Sequence, residues 1–182
     1  MIKWIVFVLA SLGIVLFSWK SLPKPQSHGF YRFFALELIL ILLLNNVGYW
    51  FEDRLSFPQL ISWFLLAVSL LLAIHGFYLL RVIGKPQAAF QGSSDLGFEN
   101  TTHLVTMGAY RYIRHPLYAS LLLLAWGIFF KHMTWFSGAL ALGISAFLVA
   151  TAKAEEKENF SRFGEEYSRY RKTTKMFIPG LI

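Results

Sequence analysis

Residues 108–130, GAYRYIRHPLYASLLLLAWGIFF, set two arginines, a histidine and three tyrosines directly before an unbroken apolar run. Charge placed against such a run is costly unless it is paired or has chemistry to perform. Pro116 suits the first turn of a helix, where a missing N–H costs little. His115 then falls at the cap and Tyr118 one turn inside, on roughly the same side. Arg114 stands beside the unpaired N–H groups of that new helix, and together they make an anion site. Arginine and tyrosine at a membrane boundary also serve as interfacial anchors, but an anchor does not require His-Pro at a fixed spacing. Further on, Glu155 and Glu156 follow another apolar run. They read either as solvated carboxylates in the first turn of a tail helix or as a negative lip that holds a ligand's hydroxyls or cationic group. Residue types alone leave both readings open.

The elements that must position these groups are set by composition. The chain has 182 residues, 56% of them hydrophobic and only 15% charged, with a mean hydropathy of +0.52. That is too little polar surface for a soluble domain of this length. Five windows approach the ~20 apolar residues that cross a ~30 Å hydrocarbon core: Ile2–Trp19, Phe33–Trp50, Pro58–Leu80, Pro116–Phe130 and Trp135–Thr151. The last two are short and separated only by residues 131–134, which predicts a tight hairpin packed against the other helices. Ile2–Trp19 has one basic residue, Lys3, at its front and no small-x-small cleavage site after it, so it reads as a retained span. The expected fold is an all-α integral membrane protein of about five transmembrane helices. Residues 1–80 form the anchor and acceptor-side wall, and residues 81–182 form the chemistry-bearing part.

Polarity is distributed unevenly. With five spans, one side of the membrane receives 14 of the 17 Lys and Arg residues. The positive-inside rule puts that side, including residues 81–115 and the tail from Lys153, in the cytosol. The formal charge of +7 is then a cytoplasmic face against anionic headgroups, with no need for nucleic acid. The tail AEEKENFSRFGEEYSRYRKTTKMFIP repeats aromatics at Phe160, Phe163, Tyr167 and Tyr170, spacings of one helical face. It predicts an amphipathic helix that ends near Thr173 and lies on the membrane or caps the long polar loop. Cysteine is absent and five scattered histidines lack carboxylate partners at metal spacing, so no metal site is expected. Glu37, inside the second span, reads as a structural hydrogen-bonding group. Asn45 and Asn46 read as interhelical glue, and His75 reads as a hydrogen-bonded histidine of the third span.

The ordered set Leu104–Thr106, Gly108, Tyr110, Arg114–Pro116, Tyr118, Glu155–Glu156, Phe163–Gly164, Tyr167, Tyr170 and Pro179 resembles the isoprenylcysteine carboxyl methyltransferases and their phospholipid methyltransferase relatives. The resemblance covers about residues 102–179. It implies a membrane-embedded methyltransferase that uses S-adenosylmethionine without a Rossmann domain. By position, Thr102, His103, Leu104 and Val105 border the adenosine, and Tyr110, His115, Pro116, Leu117, Tyr118 and Glu155 line the cofactor. Arg114 and Glu156 are the implied catalytic pair. Methyl transfer from a sulfonium is an in-line displacement, so it needs alignment and exclusion of water more than strong acid–base chemistry. Tyrosine faces attract a sulfonium as they attract other cations.

Two positions depart from the family pattern. Thr102 stands where a histidine is usual, with His103 beside it. Thr151 occupies the substrate-side position where the carboxyl methyltransferases carry an arginine for the acceptor's carboxylate. A hydroxyl cannot replace that charge in a low-dielectric pocket, so the expected acceptor is a lipidic or hydrophobic molecule that is neutral or bears an amine. Prenylcysteine, phospholipid amines and small thiols or quinone-like molecules are the classes considered. Two other readings stay open: an NADPH-dependent membrane reductase of the related sterol reductase fold, and a non-catalytic protein that keeps the fold. The topology is directly testable. A cysteine at Ser168 should react with a membrane-impermeant maleimide from the cytosolic side only, and one at Ser56 from the opposite side only. Labelling of both from one face would overturn the five-span arrangement.

Overall fold

The computed structural model describes residues 1–85 and 101–180. Five α-helices carry the described chain: α1 (Ile2–Ser18), α2 (His28–Asn46), α3 (Phe57–Val82), α4 (Pro116–Phe129) and α5 (Trp135–Thr173). Their starts have local causes. Ser27 caps α2 by accepting from Phe30 N–H, Thr134 caps α5 by accepting from Ser137 N–H, and Pro residues open α3 and α4. Three helices, α2, α3 and α5, are long and apolar enough to cross a membrane, while α1 and α4 are shorter apolar helices. Among the described residues no strand occurs beyond an isolated bridge between Ile113 and Lys175.

The expected boundaries change most in α5. No break follows Thr151; the helix continues out of the membrane to residue 163, and after a kink at the non-helical Gly164 (φ 53°, ψ −126°) a second helical stretch reaches Thr173. Only glycine adopts that conformation cheaply. The separate tail helix expected from the aromatic spacing is therefore the charged half of α5, re-aimed at Gly164. Its apolar half, Trp135–Ala152, has no charged residue and spans about 27 Å at 1.5 Å per residue. Glu155 and Glu156 lie beyond that run, in mid-helix, so no helix N-terminus stabilises them.

Helix α3 packs chiefly on α4, and α2 chiefly on α5, so the anchor segment and the C-terminal segment interleave. Ala35, Leu42, Ile128, Ile144 and Leu148, each at most 1% exposed, form the centre of the core. Polar side chains tie the helices where water cannot. Asn46 donates to the Ile128 carbonyl (2.9 Å) and accepts from Ser137 (3.2 Å), Ser62 donates to the Gly127 carbonyl and Ser69 to that of Ser120 (both 2.7 Å). Ser11 donates to Glu37 (2.9 Å), and Ala109 N–H donates to His75 Nε2 (3.3 Å). All four intramembrane polar residues singled out in the sequence thus have hydrogen bonds, with Asn45 donating to Asn46 at 2.8 Å. Helices α3 and α4 approach closely at Gly127, where a Cβ would lie 2.9 Å from Leu66 Cδ2 and 3.3 Å from the Leu66 backbone nitrogen. Gly127→Val should force these helices apart and cost about 1–3 kcal/mol, read as a lower thermal midpoint in detergent. An unchanged midpoint would show that the seam is not closely packed.

Candidate functional site

At the polar end of the bundle, residues 108–111 form a 3₁₀ turn, and residues 112–115 lead irregularly into α4, with Ile113 making the isolated bridge to Lys175. The C-terminal tail lies alongside. Arg114 N–H donates to the Lys175 carbonyl (2.7 Å), His115 N–H to that of Met176 (3.2 Å), and Lys175 N–H to that of Tyr112 (3.1 Å). This pairing turns the side chains of Arg114 and His115 toward α5.

Arg114 does not act as a free cation. Its Nε donates to Glu156 Oε1 at 2.7 Å, and Nη1 donates to the carbonyls of Thr174 and Arg171. Both partners of the ion pair are under 10% exposed, and the exposed Arg171 approaches the second Glu156 oxygen at 3.3 Å. Burial by itself raises the Glu156 carboxyl, but the neighbouring His115 ring and the hydrogen-bonded, charged Arg114 outweigh it and hold the group at about 2, below its ordinary 4.5. The anion site expected at the start of α4 is thus filled internally.

His115 is 4% exposed and stacks on Tyr118, with ring centroids 5.5 Å apart and planes 19° from parallel. Its Nδ1 lies 3.7 Å from Glu155 Oε2 and its Nε2 lies 3.5 Å from Glu156 Oε1. At these separations the contacts are electrostatic rather than hydrogen bonds, and Nε2 is a buried atom without a hydrogen-bond partner. The Tyr167 hydroxyl is in the same condition, although Asn159 lies close enough to influence it. Burial first, and then the carboxylates of Glu156 and Glu155, push the Tyr167 phenol up. Burial does the same to Tyr170, whose hydroxyl donates to the Tyr110 carbonyl at 2.7 Å. Both phenols therefore stay protonated and can donate.

These groups surround one cleft, about 620 Å³ of space counted with its open mouth. Of the residues read from the sequence, Leu104, Val105, Tyr110, Arg114, His115, Leu117, Tyr118 and Glu155 line it. Others do not. Thr102 bonds the Lys85 carbonyl at 3.1 Å, and Thr102 and His103 are exposed. Pro116 is buried near Gly76 of α3, and Glu156 stands behind the wall as the partner of Arg114. Thr151 is fully buried, its hydroxyl bonded to the Phe147 carbonyl at 2.7 Å. The lining also includes Leu80, Thr101 and Asn159, which the sequence reading missed, and Phe163, Tyr167 and Tyr170, read there as an apolar face and as motif positions without a site role. Glu155, Asn159 and Phe163 recur every four residues; that signal is visible once α5 is continuous. His28, also missed, binds Glu158 at 2.6 Å and ties the start of α2 to α5.

Apolar membrane-length helices, with a buried aromatic and carboxylate cavity where the polar loop meets them, define an integral membrane protein with its site at one end of the bundle. Residues 58–165 match the sequence profile described as phospholipid methyltransferase, and the chain belongs to that family. The matched region runs from the start of α3 to just past Gly164, so it contains the Arg114–Glu156 pair and most of the cavity. A methanethiol S-methyltransferase of Crocosphaera subtropica is 25% identical over 171 residues, covering 88% of this chain and 64% of that protein. One from Pseudomonas deceptionensis is 32% identical over 72 residues, covering 40% of this chain and 27% of that protein. The chain therefore spans less than two thirds of the length of either relative. No solved structure matches it.

The ion pair sets a pH dependence. Because the Glu156 carboxyl is depressed in the folded state, its contribution is fully present above about pH 4.5 and is lost as pH falls toward about 2. Glu156→Gln should remove this acid-range dependence of the detergent-state midpoint. At neutral pH, Arg114→Ala should cost about 3–5 kcal/mol, the scale for stranding one member of a buried pair. Wild-type stability in Arg114→Ala would show that the pair does not hold the site.

Proposed function

We propose that this protein transfers a methyl group from S-adenosylmethionine to an uncharged, hydrophobic acceptor, with a small thiol as the favoured class. The observation that carries this reading is the composition of the cavity wall: Tyr110, Tyr118, Tyr167 and Tyr170 surround a space that Glu155 also faces. Aromatic faces and a carboxylate suit a sulfonium, and protonated phenols suit the donor's carboxylate and hydroxyls. Leu104, Val105 and Leu117 supply apolar surface for an adenine. The nicotinamide alternative asks for cationic partners to its phosphates. Arg114, the basic residue of this wall, is already bound to Glu156, which favours the methyl donor.

The acceptor follows from charge. Thr151 offers no cation and is turned into the helix, so nothing there pairs with a prenylcysteine carboxylate. The relatives named for transfer to the sulfur of methanethiol support a small thiol within this hydrophobic class. On this reading residues 81–182 supply most of the donor site and residues 1–80 the anchor and the acceptor-side wall, and the positive-inside rule supports a cavity on the cytosolic face.

Detergent-purified protein should bind S-adenosylmethionine in calorimetry and transfer a labelled methyl to alkyl thiols, with farnesylcysteine at least about tenfold poorer. Glu155→Ala should weaken donor binding about ten- to hundredfold, the worth of one charge-assisted contact. Binding of NADPH in place of the donor would overturn the methyltransferase reading, and unchanged donor affinity in Glu155→Ala would overturn the cavity assignment. Introducing the family's arginine by Thr151→Arg should destabilise the protein, because the position is closed to solvent and a guanidinium would be buried there.

A further inference from the structure

We infer that His115 is the general base that removes the acceptor's proton, and that Glu155 passes this proton to solvent. The inference rests on the methyltransferase reading above and deepens it. A sulfonium donor needs no base when the acceptor is already nucleophilic. A neutral alkyl thiol is not, since the thiolate is the nucleophile. The proton therefore needs a destination inside a closed site.

His115 has the geometry for it. The ring lines the cavity and is 4% exposed; its Nε2 is closed off against Glu156 behind the wall, while Nδ1 faces Glu155, which lines the cavity. Stacking on Tyr118 and the backbone bond from His115 N–H to Met176 fix the ring's place. A proton taken up there is held between two carboxylates, Glu155 at 3.7 Å and Glu156 at 3.5 Å. The remaining charged and titratable neighbours are Arg114, on the same segment, and Tyr118, Tyr167, Tyr170 and Arg171. Arg114 and Arg171 are both turned to Glu156, and the tyrosines are neutral. Glu155 differs from Glu156 in exposure, 30% against 7% for the side chain. That makes Glu155 the outlet and Glu156 the fixed counter-charge.

The step balances. The acceptor's S–H bond breaks, its electron pair stays on sulfur and the proton goes to His115 Nδ1, the nitrogen on the Glu155 side, while Nε2–H stays directed at Glu156. The sulfur pair forms the new S–C bond while the donor's S–CH₃ bond breaks, its electrons returning to the donor sulfur, which becomes a neutral thioether. The proton then leaves by way of Glu155, restoring the neutral ring.

The test uses the full-length protein in detergent at saturating donor, with hexanethiol and with thiophenol, whose thiol is far more acidic. His115→Gln should lower turnover of hexanethiol about 100-fold or more, the lower range for loss of a general base, and turnover of thiophenol less than about tenfold. A second readout does not depend on turnover. The chain contains no cysteine, so the S–H stretch of bound hexanethiol can be followed by Raman spectroscopy without protein background, with S-adenosylhomocysteine in the donor site. The band should shift or vanish on binding to the unmodified protein and persist in His115→Gln. Equal losses for the two thiols, or an unperturbed S–H band in the unmodified protein, would overturn the role of His115. Donor binding without methyl transfer to any thiol would instead remove the thiol reading itself, and the base with it.

Discussion

The Arg114–Glu156 pair determines how the polar end of this molecule is built. An arginine placed just before an apolar helix must be solvated or paired, and here it is almost wholly removed from water. Its cost is offset by a 2.7 Å contact with Glu156 and by two carbonyls at the end of α5 and in the tail. Those contacts join three stretches that are distant in sequence: the entrance to α4, the charged half of α5 and the C-terminal residues. The cavity is the space left between them. His115 is held in that space because its neighbour is anchored, and Tyr167 and Tyr170 face it because the tail is held close.

The membrane half relies on other forces. Apolar side chains gain little by leaving lipid for protein, so small residues and directed hydrogen bonds hold the helices together. Serines of α3 reach carbonyls of α4, and Asn46 of α2 reaches across to Ile128 and Ser137. Lys131, at the far end, is buried by lying over the ring of Trp63 at 3.4 Å and donating to Gln59 at 2.9 Å. Burial lowers its amine from the ordinary lysine value. Charge is tolerated at both ends of the bundle where a specific partner meets it.

Much of this was legible in the sequence. The apolar windows located all five helices to within a few residues, except at the start of α2 and the end of α5. Ser27 extended α2 backward because its hydroxyl caps a turn whose His and Gly lack hydrophobic periodicity. The polar half of α5 was misread because composition changes abruptly at Lys153, while backbone helicity does not depend on that change. The motif residues did converge: eight of those assigned to the site line one cavity, together with Phe163, Tyr167 and Tyr170. The exceptions have physical reasons. Spacing shows that Pro116 and Glu156 lie near the site, but not that one packs outward and the other binds Arg114 behind the wall. Pairings such as His28 with Glu158 join residues 130 apart in the chain, and no local pattern announces them.

Near the cavity, the end of α3 is tied to the run that carries Leu104 and Val105 into the wall: Thr102 N–H donates to the Gly84 carbonyl at 2.9 Å, and the Thr102 hydroxyl reaches the Lys85 carbonyl. Those two wall residues are therefore tethered to a helix end rather than left to find their own place. A shift of the α3 end would be carried directly into the cavity, so the membrane-embedded length of α3 and the shape of the site are mechanically linked.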